Sequence, residues 1–151
     1  MAYVPGFHFD VFISYAHLDN DPFGPANERW VDVFHKALCT GVAQHLGVRP
    51  EVWRDPRLDR IGEFPAEIEA RLAASAVFLP IFSPAYLASD WCRREFETFR
   101  RNADEPGGPR VENKLRIVKV VEPHASQFCC DVHVGHVALV SQLLLLSGEE
   151  L

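Results

Sequence analysis

The chain has 151 residues, 48% of them hydrophobic and 24% charged, with a formal net charge of −6. That suits one globular domain with a sizeable core, and the scattered Lys and Arg argue against a nucleic-acid binder, which needs grouped cations to neutralise phosphates. The opening MAYVPGFHFD lacks the basic flank and apolar run of a signal peptide, and the longest apolar stretch, Val137 to Leu146, is interrupted by Ser141 and Gln142 and is too short to span a bilayer.

His8 to Tyr15 (HFDVFISY) is short, apolar and rich in aromatic and β-branched residues, which predicts a buried first strand. AHLDNDPFGP follows as a loop by its Asp, Asn, Gly and Pro content. Trp30, Phe34, Leu38, Val42 and Leu46 then recur every four residues, one face of an amphipathic helix expected from about Ala26 to Leu46 and ended by Gly47. Val48 to Trp53 is a brief second strand. The polar loop from Arg54 to Glu63 leads to a second helix marked by Phe64, Ile68 and Leu72, with Pro65 tolerable in its first turn.

Ala76 to Phe82 is a third, wholly apolar strand, in which Pro80 predicts a bulge or an edge because it cannot donate to a ladder. Ser83-Pro84 opens a turn, and SDWCRREFETFRR a further helix, capped by Ser89 or Asp90. DEPGGPR is a loop, Leu115 to Val121 a fourth strand, and Val132 to Leu146 holds an ambiguous strand or short helix. Alternating strands and helices with apolar strands predict an α/β, flavodoxin-like domain: three layers, with a central parallel sheet flanked by helices. Ligands of such sheets bind beyond the carboxyl ends of the strands, which gathers Ser14 to His17, Arg54 to Glu63, Ser83 and the SDWCRRE helix start on one rim.

Much familiar chemistry is missing. The chain has no GxGxxG, no GxxxxGK[ST] and no GxSxG. A phosphoryl-accepting Asp is absent from the end of the third strand, which runs Ile81-Phe82-Ser83. Cys39, Cys92, Cys129 and Cys130 show no paired spacing, so reduced thiols in a cytoplasmic protein are expected. The run Cys129 to His136 lacks the second ligand pair of a structural zinc site, and no metal is expected.

The blocks Phe9-Asp10-Val11-Phe12-Ile13-Ser14-Tyr15, Trp53-Arg54-Asp55 with Gly62, Ser83-Pro84, and Ser89-x-Trp91-Cys92-x-x-Glu95 stand in order over about residues 9–121. Together they resemble the Toll/interleukin-1 receptor (TIR) domain family, most closely its bacterial and plant enzymatic members, and one such domain over residues 1–151 is expected. The resemblance implies cleavage of NAD+ between nicotinamide and ribose, with Glu95 as the catalytic carboxylate and NAD+ as substrate rather than cofactor. It further implies that Ser14, Tyr15, Ala16 and His17 contact the dinucleotide. It also implies that Arg54 and Arg60, in the loop that resembles the family's mobile one, bind substrate together with Phe64 and Ser83. Trp91 and Glu95, four residues apart, share a helix face. The Trp ring could stack on nicotinamide or adenine, or could simply fill the core. Glu95 is expected to be an exposed helix-start carboxylate. Self-association through TIR–TIR contacts, and a sensor domain or chain, are the implied partners, with neither nucleic acid nor membrane among them. Two other functions fit the same resemblance: a non-catalytic adaptor acting through TIR–TIR contacts, and a bacterial effector that disrupts host signalling.

Overall fold

The computed structural model describes residues 1–55, 66–102, 110–111, 114–121 and 139–148. Strand β1 (Phe9–Ser14) leads through a 3-10 turn (His17–Asn20) into a small hairpin, β2 (Pro22–Phe23) with β3 (Glu28–Arg29), and then helix α1 (Trp30–Leu46). β4 (Val52–Arg54), α2 (Ala66–Ala73), β5 (Ser75–Phe82), α3 (Pro84–Ala88) and α4 (Asp90–Asn102) come next. β6 (Arg110–Val111) and β7 (Lys114–Leu115) form a second antiparallel pair before β8 (Val120–Val121), and residues 139–147 are helical.

The main sheet has the order β4-β1-β5-β8 and is parallel throughout. Along the chain that is second-first-third-fourth, the flavodoxin-like order, whose ligand crevice lies between the first and third strands. Alternation along the strands sorts the core into two layers. Val11, Ile13, Val77, Leu79 and Ile81 pack with Val31, Phe34, Leu38 and Val42 of α1 and with Leu139 and Leu143. Phe12 and Phe78 face the other way, against Ile68 and Leu72 of α2 and Trp91 and Phe99 of α4. Both faces are covered, as the uniformly apolar strands predict.

Several boundaries differ from expectation, each for a local reason. α1 begins at Trp30, not near Ala26, because Gly24 (φ 68°) and Asn27 (φ 49°) turn the chain into the hairpin first. Its first-turn amide at Asp32 is satisfied by Asn20 Oδ1, 3.1 Å away, so the cap comes from another element. α1 ends as expected, on Gly47 at φ 73°. β4 starts at Val52 rather than Val48. Pro80 lies in an inner strand rather than at an edge: it pairs with Ser14 on one side. On the other side the ladder is interrupted between the Phe78–Ile117 bridge and the Ile81–Val120 pair, so its missing N–H disrupts nothing. The stretch expected as one strand from Leu115 to Val121 is split among the β6–β7 hairpin, that bridge and β8. Asp10, buried in β1, accepts from Val4 N at 3.0 Å and Glu51 N at 2.9 Å, tying the N-terminal arm and the approach to β4 onto the central strand.

Candidate active site at the carboxyl rim of the sheet

β1 and β5 end side by side, and the segments leaving these two strands build the site. Ser14, the last residue of β1, is buried and donates to Glu95 Oε2 at 2.5 Å. Glu95 projects from the second turn of α4. Its other oxygen, Oε1, accepts from the indole nitrogen of Trp91 at 3.1 Å, as the four-residue spacing permits. α4 starts where it does because Ser89 Oγ caps the amide of Cys92 at 3.2 Å. The expected exposed carboxylate is therefore corrected: Glu95 has 0% exposure. Its second-turn position on the helix face turned to the sheet carries it under the rim. Arg93, two residues before it, pairs with Asp90 at 3.6 Å.

Trp91, 8% exposed, packs in the core layer with Phe12, Ile68, Leu72, Phe78 and Phe99, while its N–H serves Glu95. Ala16 is buried with Tyr86 and Cys92 in a small cluster, which fits Cys92 as a small hydrophobe. The Tyr15 hydroxyl donates to the Asp55 carbonyl at 3.1 Å. The half-buried His17 ring stacks on Tyr15, with centroids 5.3 Å apart and planes 11° apart, and the Arg54 guanidinium stands 6.0 Å from the Tyr15 centroid. Arg54 is fixed by Asp32 of α1 at 2.6 Å. Arg60, Gly62 and Phe64, like the run Cys129 to His136, lie outside the described residues.

Ser83 caps α3, accepting from Tyr86 N at 3.0 Å and donating to Asp19 Oδ2 at 2.5 Å. The Tyr86 hydroxyl lies 2.9 Å from Ser14 Oγ. Burial raises the Asp19 carboxyl above its ordinary value, against the opposing hydrogen bond from Ser83. Burial pulls Asp32 upward too, but the hydrogen bonds from Arg54 and Asn20 and the charges of Arg54 and Arg29 hold it below its ordinary value. Asp19, Tyr86 and Asp32 were not legible as site residues. Ser83-Pro84 is a helix-start signal that points to a cap, but its partner Asp19 is 64 residues away, and no local pattern encodes that contact.

Among the described residues no group of His, Cys, Asp and Glu could hold a metal ion, and no helix is long and apolar enough to cross a membrane. Cys39 and Cys92 form no disulfide.

A family model described as the TIR domain matches residues 11–126. This chain belongs to the TIR domain family. Among solved structures, the TIR domains in the structure of the activated Roq1 resistosome directly recognizing the pathogen effector XopQ are similar to it, at 16% identity and a TM-score of 0.47. The match covers 93% of this chain and 84% of that one. No curated protein matches. In this TIR domain the blocks met separately in the sequence converge: Ser14 of the first, Ser83 of the third, and Trp91 and Glu95 of the fourth belong to one buried polar seam, with Arg54 of the second beside Tyr15.

Proposed function

We propose that this TIR domain is a cytoplasmic NAD+ glycohydrolase of immune or antiphage defence that works in self-associated form. It would release nicotinamide from NAD+ and leave ADP-ribose or a cyclic ADP-ribose. The observation that carries this reading is the carboxylate of Glu95, held at both oxygens at the rim where β1 and β5 end. The leaving group needs little help, because nicotinamide is already a cationic pyridinium in NAD+ and departs neutral with the bond electrons. The ribose is left with oxocarbenium character, as in glycoside hydrolysis. Water then adds to the anomeric carbon and loses a proton, giving ADP-ribose; attack by a nitrogen of the adenine instead gives a cyclic product. A carboxylate whose orientation is set beforehand by Ser14 and Trp91 stabilises the developing positive charge without reorganising. Tyr15, His17 and Arg54 form the aromatic and cationic border, with Ala16 and Ser83 beside it. The resemblance adds Arg60 and Phe64 on the substrate side.

The described form has Glu95 closed to solvent, so in this reading it is the resting form, and self-association opens the rim to substrate. The same burial supports the second reading, a non-catalytic adaptor in which Glu95 only ties α4 to β1. Nicotinamide release from NAD+, followed across a protein concentration series, separates the two. The glycohydrolase predicts turnover per subunit that rises with concentration. No release at any concentration, crowded solutions included, leaves the adaptor.

A further inference from the structure

We propose that Asp19 is a positioning residue that sets the orientation of Glu95 through Ser83, Tyr86 and Ser14, an inference that rests on the glycohydrolase reading. The hydrogen bonds define a direction. A serine hydroxyl has one hydrogen. Ser14 gives its hydrogen to Glu95, so the Tyr86 hydroxyl, 2.9 Å away, must donate to Ser14 rather than accept from it. Ser83 gives its hydrogen to Asp19, so the lone pair of Ser83 faces the Tyr86 amide. Both ends of Tyr86 are thereby fixed, the amide by Ser83 and the hydroxyl by Ser14. The Asp19–Ser83 pair and the Ser14–Glu95 pair are thus joined through the backbone and ring of Tyr86.

Asp19 itself is held firmly. Its amide donates to the Ala16 carbonyl at 3.0 Å, closing the 3-10 turn. The next residue, Asn20, is clamped to Asp32 through both ends of its amide group and accepts from Arg29 at its carbonyl. Asp32 in turn holds Arg54. The turn thus stands on α1 and reaches across to the start of α3 through the Asp19 side chain. Burial raises the Asp19 carboxyl, so keeping it charged opposes folding rather than assisting it. Its contact with the cap beside the site is the geometric ground for a positioning role.

The test compares wild type, Asp19→Ala, Asp19→Asn and Ser83→Ala. The readouts are steady-state nicotinamide release, thermal midpoint, and the indole 15N–1H cross-peak of Trp91, assigned by its loss in Trp91→Phe. That peak reports the hydrogen bond to Glu95 without any need for turnover. Asp19→Ala is expected to shift the indole peak, to lower kcat at least tenfold with KM within about twofold, and to lower the midpoint no more than Ser83→Ala does. Asp19→Asn, which keeps an acceptor for Ser83, should restore both the peak and most of kcat. Ser83→Ala should move the peak the same way while lowering the midpoint through the lost cap. An unmoved peak in Asp19→Ala overturns the proposal, whether or not kcat falls. A moved peak with unchanged kcat in an active enzyme overturns it as well. If wild type releases no nicotinamide, the glycohydrolase reading fails separately, and the peak alone decides whether Asp19 orients Glu95.

Discussion

Replacing Glu95 with alanine should destabilise the domain, and replacing it with glutamine should do so less. In Glu95→Ala the Trp91 indole N–H, already buried in the core, loses its acceptor, and an orphaned buried donor costs about 1–3 kcal/mol. The Ser14 and Tyr86 hydroxyls can still bond to each other, with one of their two hydrogens left facing the space that the side chain vacates. The deleted methylene adds about 0.8 kcal/mol. Relief of the buried carboxylate's desolvation offsets part of this sum, which leaves a net loss of about 2 kcal/mol. For a domain of this length, about 2–4 °C accompanies each kcal/mol, so the midpoint should fall by about 4–8 °C. Glutamine is isosteric. Its Oε1 can accept from Trp91 and its Nε2 can donate to Ser14, but the second Nε2 hydrogen and one hydrogen of the Ser14–Tyr86 pair then lack an acceptor in this set. The loss should be about 1 kcal/mol, smaller than for alanine because the Trp91 bond and the side-chain volume are kept. Thermal unfolding followed by circular dichroism at pH 7 measures both. An alanine variant that melts with wild type, or a glutamine variant as unstable as alanine, would refute this account of how the carboxylate is held.

Other expectations rest on single contacts. Ser89→Ala removes the side-chain cap of α4 and should cost about 1 kcal/mol in urea unfolding; no change would mean that the helix start is held by its packing alone. Asp10→Ala leaves the amides of Val4 and Glu51 without their acceptor and should cost about 2–4 kcal/mol, which the same titration would detect. Burial, reinforced by the charge of Arg54 and opposed by Asp32, lowers the His35 pKa below its ordinary 6.5. The unfolded chain therefore binds a proton that the native state refuses, and stability should fall as pH drops through 6.5 towards the native pKa. His35→Gln should flatten that slope between pH 7 and 5, and an unaltered slope would assign it to other groups.

The fold was legible wherever a local pattern encodes it. The apolar strands announced a sheet covered on both faces, and the four-residue period of Trp30 to Leu46 gave α1, with Gly47 as its stop. The start of α1 was not legible, because its cap, Asn20, belongs to another element. Pro80 suggested a bulge or an edge, since nothing local records that the ladder breaks beside it on one flank only. At the site, the Trp91–Glu95 pair is explained by helix spacing alone. The burial of Glu95 is not, because it depends on where α4 docks against β1, and Ser14 is 81 residues away. Asp19 escaped notice for the same reason, one acid among the turn-forming residues of a loop.

The most direct test of the central claim is nicotinamide release from NAD+ by wild type and Glu95→Gln, side by side, at protein concentrations high enough for self-association. The glutamine keeps the shape of the site and its bond from Trp91 while removing the charge. If Glu95 stabilises the oxocarbenium-like transition state, wild type should release nicotinamide and the variant, equally folded, should be slower by at least a hundredfold, as when a single group stabilising transition-state charge is lost. Equal rates from the two proteins would contradict the claim.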